Sequence, residues 1–365
     1  FIFNYITSGK KIVINLFQKH RYHNKYIKDY YKNIKIYNLY PIFDLRGDNQ
    51  LVNFFKINNF FKKILFQYTS IIIGKNNYIY GDYLEKISDE IIKKKTNKFM
   101  KKNTNCFTKG ILSIREPYPE LFDRKHHFKL KPNNKIRNLV ENKLKNIRLN
   151  NTICFNLRSK EGNDNYTELR NGCSLDKLFK TFNYLLKKNY QVVLTGDFDF
   201  NKIKIKHKNL FFSDKFNLDK NLFDLYFQSL SKYHISQAGG GNIVNMINQN
   251  KTLLIDFWPI GYFLPNSMIY YKKIFFGEKK ISLKTIIKDD IKNNFKKKKR
   301  LSKYIIYYKN RVIKNKNLKF YSDKDYLRFV KKYIKNFKSK KFSSKIKGIP
   351  QLSYVENKFN FSIMS

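Results

Sequence analysis

Residues 152–158 and 191–197 read TICFNLR and QVVLTGD, and the segment 174–188 between them reads SLDKLFKTFNYLLKK. The two outer runs are short and apolar, whereas the middle segment has apolar residues at intervals of three and four, which is the spacing of a helix. Further patterns predict strands at 210–214, 233–237 and 252–257, and helices at 222–230 and 243–247. Short apolar strands that alternate with helices predict a parallel sheet covered on both faces.

The residues that follow these strands are the candidate site residues. In a parallel sheet the carboxyl ends of the strands meet at one edge, and ligands bind where the strand order reverses. The residues at those ends are Arg158, Gly196, Asp197, Gln237, Gly239, Gly240, Gly241, Asn242, Asp256 and Trp258. We expect Arg158 and Asp197 to line one wall with the triple glycine, and Arg158 to lie within about 15 Å of it, because neighbouring strands are about 5 Å apart.

The triple glycine, Gly239–Gly241, has two interpretations. It lies between a predicted strand and a predicted helix, so the missing Cβ atoms would let a phosphate approach backbone N–H groups at the start of that helix. A turn that only packs the strand against the helix would have the same composition. The sequence leaves both interpretations open.

The order of these motifs resembles that of a bacterial family of predicted GT-B glycosyltransferases, related more distantly to fucosyltransferase-like enzymes. The motifs are Asn156-Leu-Arg158, Arg170-Asn171, Thr195-Gly-Asp197, Gln237-Ala-Gly-Gly-Gly-Asn242 and Asp256-Phe-Trp-Pro259. Two departures concern the donor sugar more than the fold: Asn156 stands where the family often has His, and three glycines replace a Ser-Gly turn.

The resemblance implies an α/β architecture with two Rossmann-like domains facing each other across a cleft, each with a parallel sheet flanked by helices. Residues 1–132 would form the N-terminal, acceptor-side domain, either complete or lacking its first strand. Residues 133–320 would bind the nucleotide sugar, and residues 321–365 would form a C-terminal helix and a tail. In such proteins the C-terminal helix commonly crosses back to the first domain. The N-terminal patterns agree with this, because they predict strands at 11–17, 34–40 and 69–74 and helices at 24–32, 53–66 and 83–99.

Sugar transfer from such a donor leaves a diphosphate whose growing negative charge must be stabilised. Arg158 is the first candidate for this contact, because a guanidinium presents two N–H groups to one phosphate, and its alternative role is a salt bridge at the sheet edge. Arg170 and Asn171 are the second candidates for donor binding, and their alternative is the start of a helix capped by Asn171 or Ser174. Among the three carboxylates of one exposed loop, Asp164 is the candidate base for the acceptor's proton, with a solvated side chain as its alternative.

No metal and no other cofactor is expected. The segment Asp197-Phe-Asp199 has the letters of a metal-binding Asp-x-Asp motif but follows its strand in a loop, and GT-B sites usually rely on Arg, Lys and helix N-termini instead. The pair His126-His127 has no companion cluster of Cys and His residues. The cysteines are too widely separated for a disulfide framework or a zinc site; they are Cys106, Cys154 and Cys173.

The charge of the chain raises a competing class of function. Its 365 residues include 75 basic and 27 acidic ones, a formal net charge of +48 that is typical of proteins binding nucleic acid or an anionic membrane. The excess is nearly all Lys, is spread along the chain, and accompanies the Asn, Ile, Phe and Tyr that an AT-rich coding sequence over-supplies. We therefore expect no nucleic-acid partner and only weak contact with an anionic membrane surface.

The resemblance implies a glycosyltransferase that moves a sugar from a nucleotide-sugar donor to a glycan or lipid-linked acceptor in bacterial surface-polysaccharide synthesis. A basic nucleic-acid-binding protein and a catalytically inactive sugar-binding relative are the alternatives. No apolar window approaches the roughly 20 residues of a spanning helix, so we expect a cytoplasmic protein, soluble or peripheral at the inner face of the membrane. The chain begins at Phe1 and has no signal pattern, which favours a trimmed start over secretion.

Overall fold

A computed structural model describes twelve stretches of the chain. They are residues 12–15, 35–38, 129–144, 146–158, 171–239, 241–258, 264, 266–288, 318–337, 346, 356 and 360–364. The chain divides into two compact units, Phe1–Phe99 and Met100–Ser365. In the first unit, β1 (Ile12–Asn15) and β2 (Lys35–Asn38) pair in parallel, which confirms strands at two of the predicted positions. The other N-terminal predictions, like His126-His127, lie outside the described residues.

The second unit contains a seven-stranded sheet in which every described pair of neighbours is parallel. Its strands are β3 (Thr152–Arg158), β4 (Gln191–Asp197), β5 (Leu210–Phe211), β6 (Tyr233–Ser236), β7 (Thr252–Phe257), β8 (Ser267–Tyr271) and β12 (Ser362–Met364). Their order is β12-β8-β7-β6-β3-β4-β5, so the chain runs outward from β3 to β5, returns beside β3, and continues the other way. This is the strand order of a Rossmann-like sheet with one added strand, and it reverses between β3 and β6.

A smaller antiparallel sheet follows the seven-stranded one. It consists of β9 (Lys273–Phe276), β10 (Lys279–Ile281) and β11 (Leu318–Lys319), in the order β10-β9-β11. The helices among the described residues are α1 (Asn134–Glu141), α2 (Asp176–Lys187), α3 (Lys220–Leu230), α4 (Asn242–Ile247), α5 (283–288) and α6 (Asp323–Asn336). Short 3-10 turns occupy Leu149–Asn151, Phe200–Lys202 and Ser213–Phe216.

Capping side chains mark where several helices begin. Asn133 accepts the N–H of Ile136 at the start of α1, and Asp219 accepts two N–H groups at the start of α3. Ser322 and Asp325 form a reciprocal capping box on α6. Each cap satisfies backbone donors that the first turn of a helix leaves without partners.

The helices cover both faces of the seven-stranded sheet. Right-handed crossovers place α2 on one face and α3 with α4 on the other, and the packing agrees: α2 contacts α6, whereas α3 contacts α4 and α1. On the α2 side the ring of Phe155 meets the ring of Phe182 edge to face, with centroids 4.9 Å apart. Because helices cover both faces, successive residues of a strand are buried alternately on one face and on the other. The strands are therefore apolar along their whole length.

The C-terminal region contains the expected helix, α6, and two strands that the sequence patterns did not predict. The buried residues of α6, among them Phe329 and Tyr333, belong to the core of the seven-stranded sheet. Residues Ser362–Met364, expected to lie in a tail, form the edge strand β12, and the N–H of Ile363 donates to Oε1 of Glu356 at 2.8 Å. The second strand is β8, which is fully buried.

Candidate functional site

The candidate site lies at the carboxyl ends of β3 and β6, where the strand order reverses. The two strands are paired from Ile153 to Asn156, and the N–H of Gln237 continues the ladder by donating to the carbonyl of Asn156 at 3.0 Å. Beyond this point β6 leads into the glycine turn, whereas β3 ends at Arg158. In open α/β sheets this crevice is where ligands bind.

Arg158 and Gly239 are neighbours in this crevice. A Cβ atom added to Gly239 would lie 4.0 Å from Nη1 of Arg158, and no other atom of the described residues comes closer. The expected proximity of Arg158 to the glycine turn is therefore confirmed. Since 4.0 Å is ordinary van der Waals distance, packing against the described residues does not require glycine at position 239.

Gly241 is glycine for a different reason. A Cβ atom at this position would lie 2.5 Å from Nδ2 and 2.8 Å from Oδ1 of Asn156, so the Asn156 side chain occupies the space. The packing interpretation therefore applies to Gly241, which packs against β3. The ligand interpretation applies to Gly239, whose nearest described neighbour is the Arg158 guanidinium. Gly240 lies outside the described residues.

Asn242 begins α4 and stabilises the glycine turn. Its Nδ2 donates to the carbonyls of Gln237, at 2.8 Å, and Gly239, at 3.2 Å, while Oδ1 is buried and has no hydrogen-bond partner. The helix is only six residues long, so the field from its aligned peptides is weak compared with that of a full-length helix. Phosphate recognition here would therefore depend more on Arg158 than on the helix terminus.

Gln237 and Asn171 are buried instead of facing the crevice. Gln237 is 1% exposed, and its Oε1 accepts the N–H of Arg158 at 2.7 Å. Asn171 is 8% exposed. The alternative role proposed for Asn171 is wrong, because α2 begins at Asp176 with Leu175 as its cap residue and no capping side chain. Arg170 and Asp164 lie outside the described residues.

Gly196 and Asp197 end β4, directly beside the end of β3. Gly196 has a φ of +93°, and its N–H donates to Oδ2 of Asp224 at 3.0 Å, the same oxygen that Nζ of Lys220 contacts at 3.0 Å. Burial raises the pKa of Asp224, and the nearby Lys220 partly offsets this effect. Gly196 is therefore part of a structural turn, whereas Asp197 is exposed and pairs in register with Arg158.

Asp256 is placed differently from the prediction that it contacts a donor. It lies at an irregularity in β7, has a φ of +49°, and is 0% exposed. Its carboxylate accepts the hydroxyl of Tyr326 at 2.8 Å and the N–H of Cys173 at 3.2 Å. Burial raises its pKa above the ordinary value of 3.8, an effect that the Tyr326 hydrogen bond and the charge of Lys272 oppose. We reassign Asp256 from ligand contact to internal support, and Trp258, at 6% exposure, is also buried.

A layer of buried amides and hydroxyls beneath the crevice was missed by sequence reasoning. Nδ2 of Asn156 donates to Oγ of Ser236 at 3.0 Å, and Nε2 of Gln228 lies 3.3 Å from Oδ1 of Asn156 and 3.4 Å from Oγ1 of Thr195. The available signal was polar residues inside otherwise apolar runs, since buried polar groups are nearly always hydrogen-bonded. This layer holds β3, β4 and β6 together just below the candidate site.

Outside the crevice the described residues form a cavity but no metal-binding cluster. The described part of the chain contains no cluster of three or more His, Cys, Asp or Glu residues that would hold a metal ion, and Asp199 caps a 3-10 turn through the N–H of Asn201. A cavity of about 590 Å³ lies before β3 at the opposite end of the strand, lined by Glu141, Leu144 and Arg148 among others. No helix among the described residues is both long and apolar enough to cross a membrane.

Comparison with protein-family models, curated proteins and solved structures finds no match for this chain. The fold alone therefore defines its class: an α/β protein with a Rossmann-like parallel sheet flanked by helices. The function has to be argued from the crevice between β3 and β6.

Proposed function

We propose that the chain is a glycosyltransferase that binds a nucleotide-sugar donor in the crevice between β3 and β6. The observation that carries this proposal is the pair of Arg158 and Gly239 at the point where the strand order reverses. The Arg158 guanidinium is the nearest described group to the Cβ position of Gly239, and packing against the described residues does not demand glycine there. A diphosphate lying over Gly239 would meet the planar donor group of Arg158, which matches phosphate geometry.

The chemistry of sugar transfer suits this arrangement. As the bond between the sugar and the diphosphate breaks, negative charge grows on the oxygen that faces the cation, so the contact with Arg158 strengthens in the transition state. The buried layer below the crevice and the two hydrogen bonds of Asn242 hold the turn in place before the donor arrives. Asp164 remains the proposed base for the acceptor's hydroxyl, and Arg170 a second phosphate contact. The GT-B arrangement of two domains across a cleft is part of the same proposal.

The described surface supports a lipid-linked or membrane-held acceptor. On one face of the sheet, helices α2 and α6 contain eight basic and three acidic residues. On the other face, helices α1, α3 and α4 contain three basic and two acidic residues. A one-sided excess of Lys attracts an anionic membrane surface, at about 1 kcal/mol per residue near the surface. We propose that this face gives weak, salt-sensitive contact with such a surface at the inner face of the membrane.

The nucleic-acid alternative receives less support from the same face. Single-stranded nucleic acids bind to exposed aromatic rings on which bases stack. Among the residues whose burial is described, no aromatic side chain is exposed, and Lys177 and Lys331 already lie over the rings of Phe320 and Tyr184. Charge without stacking platforms favours an anionic surface over nucleic acid.

The test of the proposed function is a donor screen followed by a transfer assay. Purified protein is heated with UDP-, GDP-, CDP- and dTDP-linked sugars, with the matching nucleosides as controls, and a donor is identified by a rise in Tm. Release of the nucleoside diphosphate from that donor in the presence of a membrane extract then measures transfer. Stabilisation by one nucleotide sugar with diphosphate release supports the proposal; no stabilisation by any of them would remove it.

A further inference from the structure

We infer that Gln237 is a positioning residue, which fixes the backbone of Arg158 for phosphate binding and does not itself contact the donor. This inference rests on the proposed function. Gln237 is 1% exposed, so its amide is not presented to the crevice. Its Oε1 accepts the N–H of Arg158 at 2.7 Å, and Nε2 lies 3.6 Å from Sγ of Cys173, to which it donates.

The carbonyl of Arg158 is held as well as its N–H. The carbonyl of Arg158 accepts the N–H of Gly172 at 2.7 Å. A Cβ atom on Gly172 would overlap the side-chain amide of Gln237, so only glycine lets the two segments approach. Gln237 and Gly172 together form what we call the Arg158 clamp: one residue binds the N–H of Arg158 and the other binds its carbonyl.

The Arg158 clamp occupies the place where the sheet stops. Strand β6 ends at Ser236, so the N–H of Arg158 has no β6 carbonyl opposite it, and the Gln237 side chain supplies an acceptor in its place. With both backbone polar groups fixed, the direction in which the Arg158 side chain leaves the sheet is fixed too. A guanidinium already held in the direction in which it binds phosphate loses less conformational entropy on binding, and this preorganisation raises the affinity for the phosphate.

A second buried glutamine provides a matched control. Gln191 is 1% exposed at the start of β4, at the other end of the sheet, where its Oε1 accepts the N–H of Arg148 at 2.6 Å and its Nε2 donates to the carbonyl of Asn146 at 2.6 Å. Replacing either glutamine by methionine removes a buried amide of similar volume. Both variants are therefore expected to be less stable than wild type. Only Gln237→Met removes the acceptor of the Arg158 N–H, so only this variant should change hydrogen exchange at Arg158 and diphosphate binding.

The experiment measures hydrogen exchange at the Arg158 amide and the affinities for UDP, GDP, CDP and dTDP, in wild type and in both methionine variants. We expect Gln237→Met to speed exchange at Arg158 and to weaken the tightest of these diphosphates by about 10-fold, the size expected for one lost hydrogen bond. Gln191→Met should leave both unchanged. In an Arg158→Ala background, Gln237→Met should weaken the diphosphate less than about 2-fold, because residues that act through one another are not additive.

Each outcome decides a separate claim. Unchanged exchange at Arg158 in Gln237→Met overturns the inference, and so does an equal loss of affinity with and without the Arg158 side chain. If none of the four diphosphates binds the wild type, the proposed function fails, while exchange still decides whether Gln237 holds Arg158. If Gln237→Met does not fold, Cys173→Ala replaces it: this variant removes the acceptor of Nε2 and should speed exchange at Arg158 in the same direction.

Discussion

Nη1 of Arg158 lies 4.0 Å from the place where a side chain on Gly239 would begin, whereas the equivalent place on Gly241 is filled by Asn156. Gly239→Ala should therefore leave the free energy of unfolding within about 0.5 kcal/mol of wild type, because its Cβ meets no close contact with the described residues. Gly241→Ala should destabilise the protein by about 1–3 kcal/mol through overpacking.

Urea unfolding measures both changes, and nucleotide titration completes the comparison. Gly239→Ala should weaken binding of a nucleoside diphosphate by narrowing the space beside the guanidinium. Equal destabilisation by the two substitutions would show that both glycines serve packing, and the first interpretation of the turn would be lost.

The buried carboxylate of Asp256 predicts a specific dependence of stability on pH. Its pKa is raised by burial, so below pH 3.8 it is protonated in both states, and as the pH rises the unfolded state ionises first and gains relative to the native state. Asp256→Asn does not ionise, so its stability relative to wild type should improve as the pH rises through this range. Unfolding free energies at pH 3.5 and pH 7 measure the change.

Asp325 is the control for this experiment. Hydrogen bonds from Ser322 and the charges of Lys273 and Arg328 outweigh partial burial and lower the pKa of Asp325, so its contribution is present above pH 3.8 and lost as the pH falls. Asp325→Asn should therefore lose stability relative to wild type as the pH rises. The same sign in both variants would contradict the account of Asp256.

His234 in β6 predicts a loss of stability on mild acidification. Burial lowers its pKa to about 4, and Nε2 lies 2.7 Å from the carbonyl of Ser231. The unfolded state takes up a proton as the pH falls below 6.5, and the native state does so only near pH 4, so stability falls across this window by up to about 3 kcal/mol. In chemical unfolding experiments, the free energy of unfolding of His234→Gln should fall less than that of wild type between pH 6.5 and pH 4. An unchanged decline would show that other groups cause it.

The basic face of α2 and α6 predicts salt-sensitive binding to anionic vesicles. One variant carries Lys187→Glu, Lys324→Glu and Lys335→Glu. The control, with the same change in net charge on exposed residues of the other side, carries Lys131→Glu, Lys135→Glu and Arg137→Glu. Sedimentation with vesicles that contain phosphatidylserine should show at least about a 10-fold weaker association for the first variant than for the control. Equal weakening, or binding that persists at 0.5 M salt, would contradict contact through this face.

Much of the central sheet could be predicted from the sequence, because its strands are apolar runs bounded by turn residues. The bounds of β3, β4 and β7 match the predicted ranges. Strand β8 was missed because it follows a segment rich in Gly and Pro, and β12 because three residues carry too little pattern. Such short strands are defined by the partners they pair with, not by their own composition.

The candidate site was predictable only in part. The proximity of Arg158 to the glycine turn follows from parallel strands whose ends share one edge of the sheet. The burial of Asp256 does not follow, since it depends on a positive φ and on Tyr326, which lies 70 residues away. The supporting role of Gln237 depends likewise on contacts with two other segments.

The central claim is that Arg158 binds the diphosphate of a nucleotide sugar, and calorimetric titration of wild type and Arg158→Ala tests it most directly. The ligands are the nucleoside diphosphate identified in the donor screen and its nucleoside. We predict that Arg158→Ala binds the diphosphate about 10- to 100-fold more weakly, as expected for a lost hydrogen bond to a charged group, and that Arg158→Lys restores little of this. Nucleoside affinity should not change. Equal diphosphate affinity in folded Arg158→Ala and wild type would contradict the account.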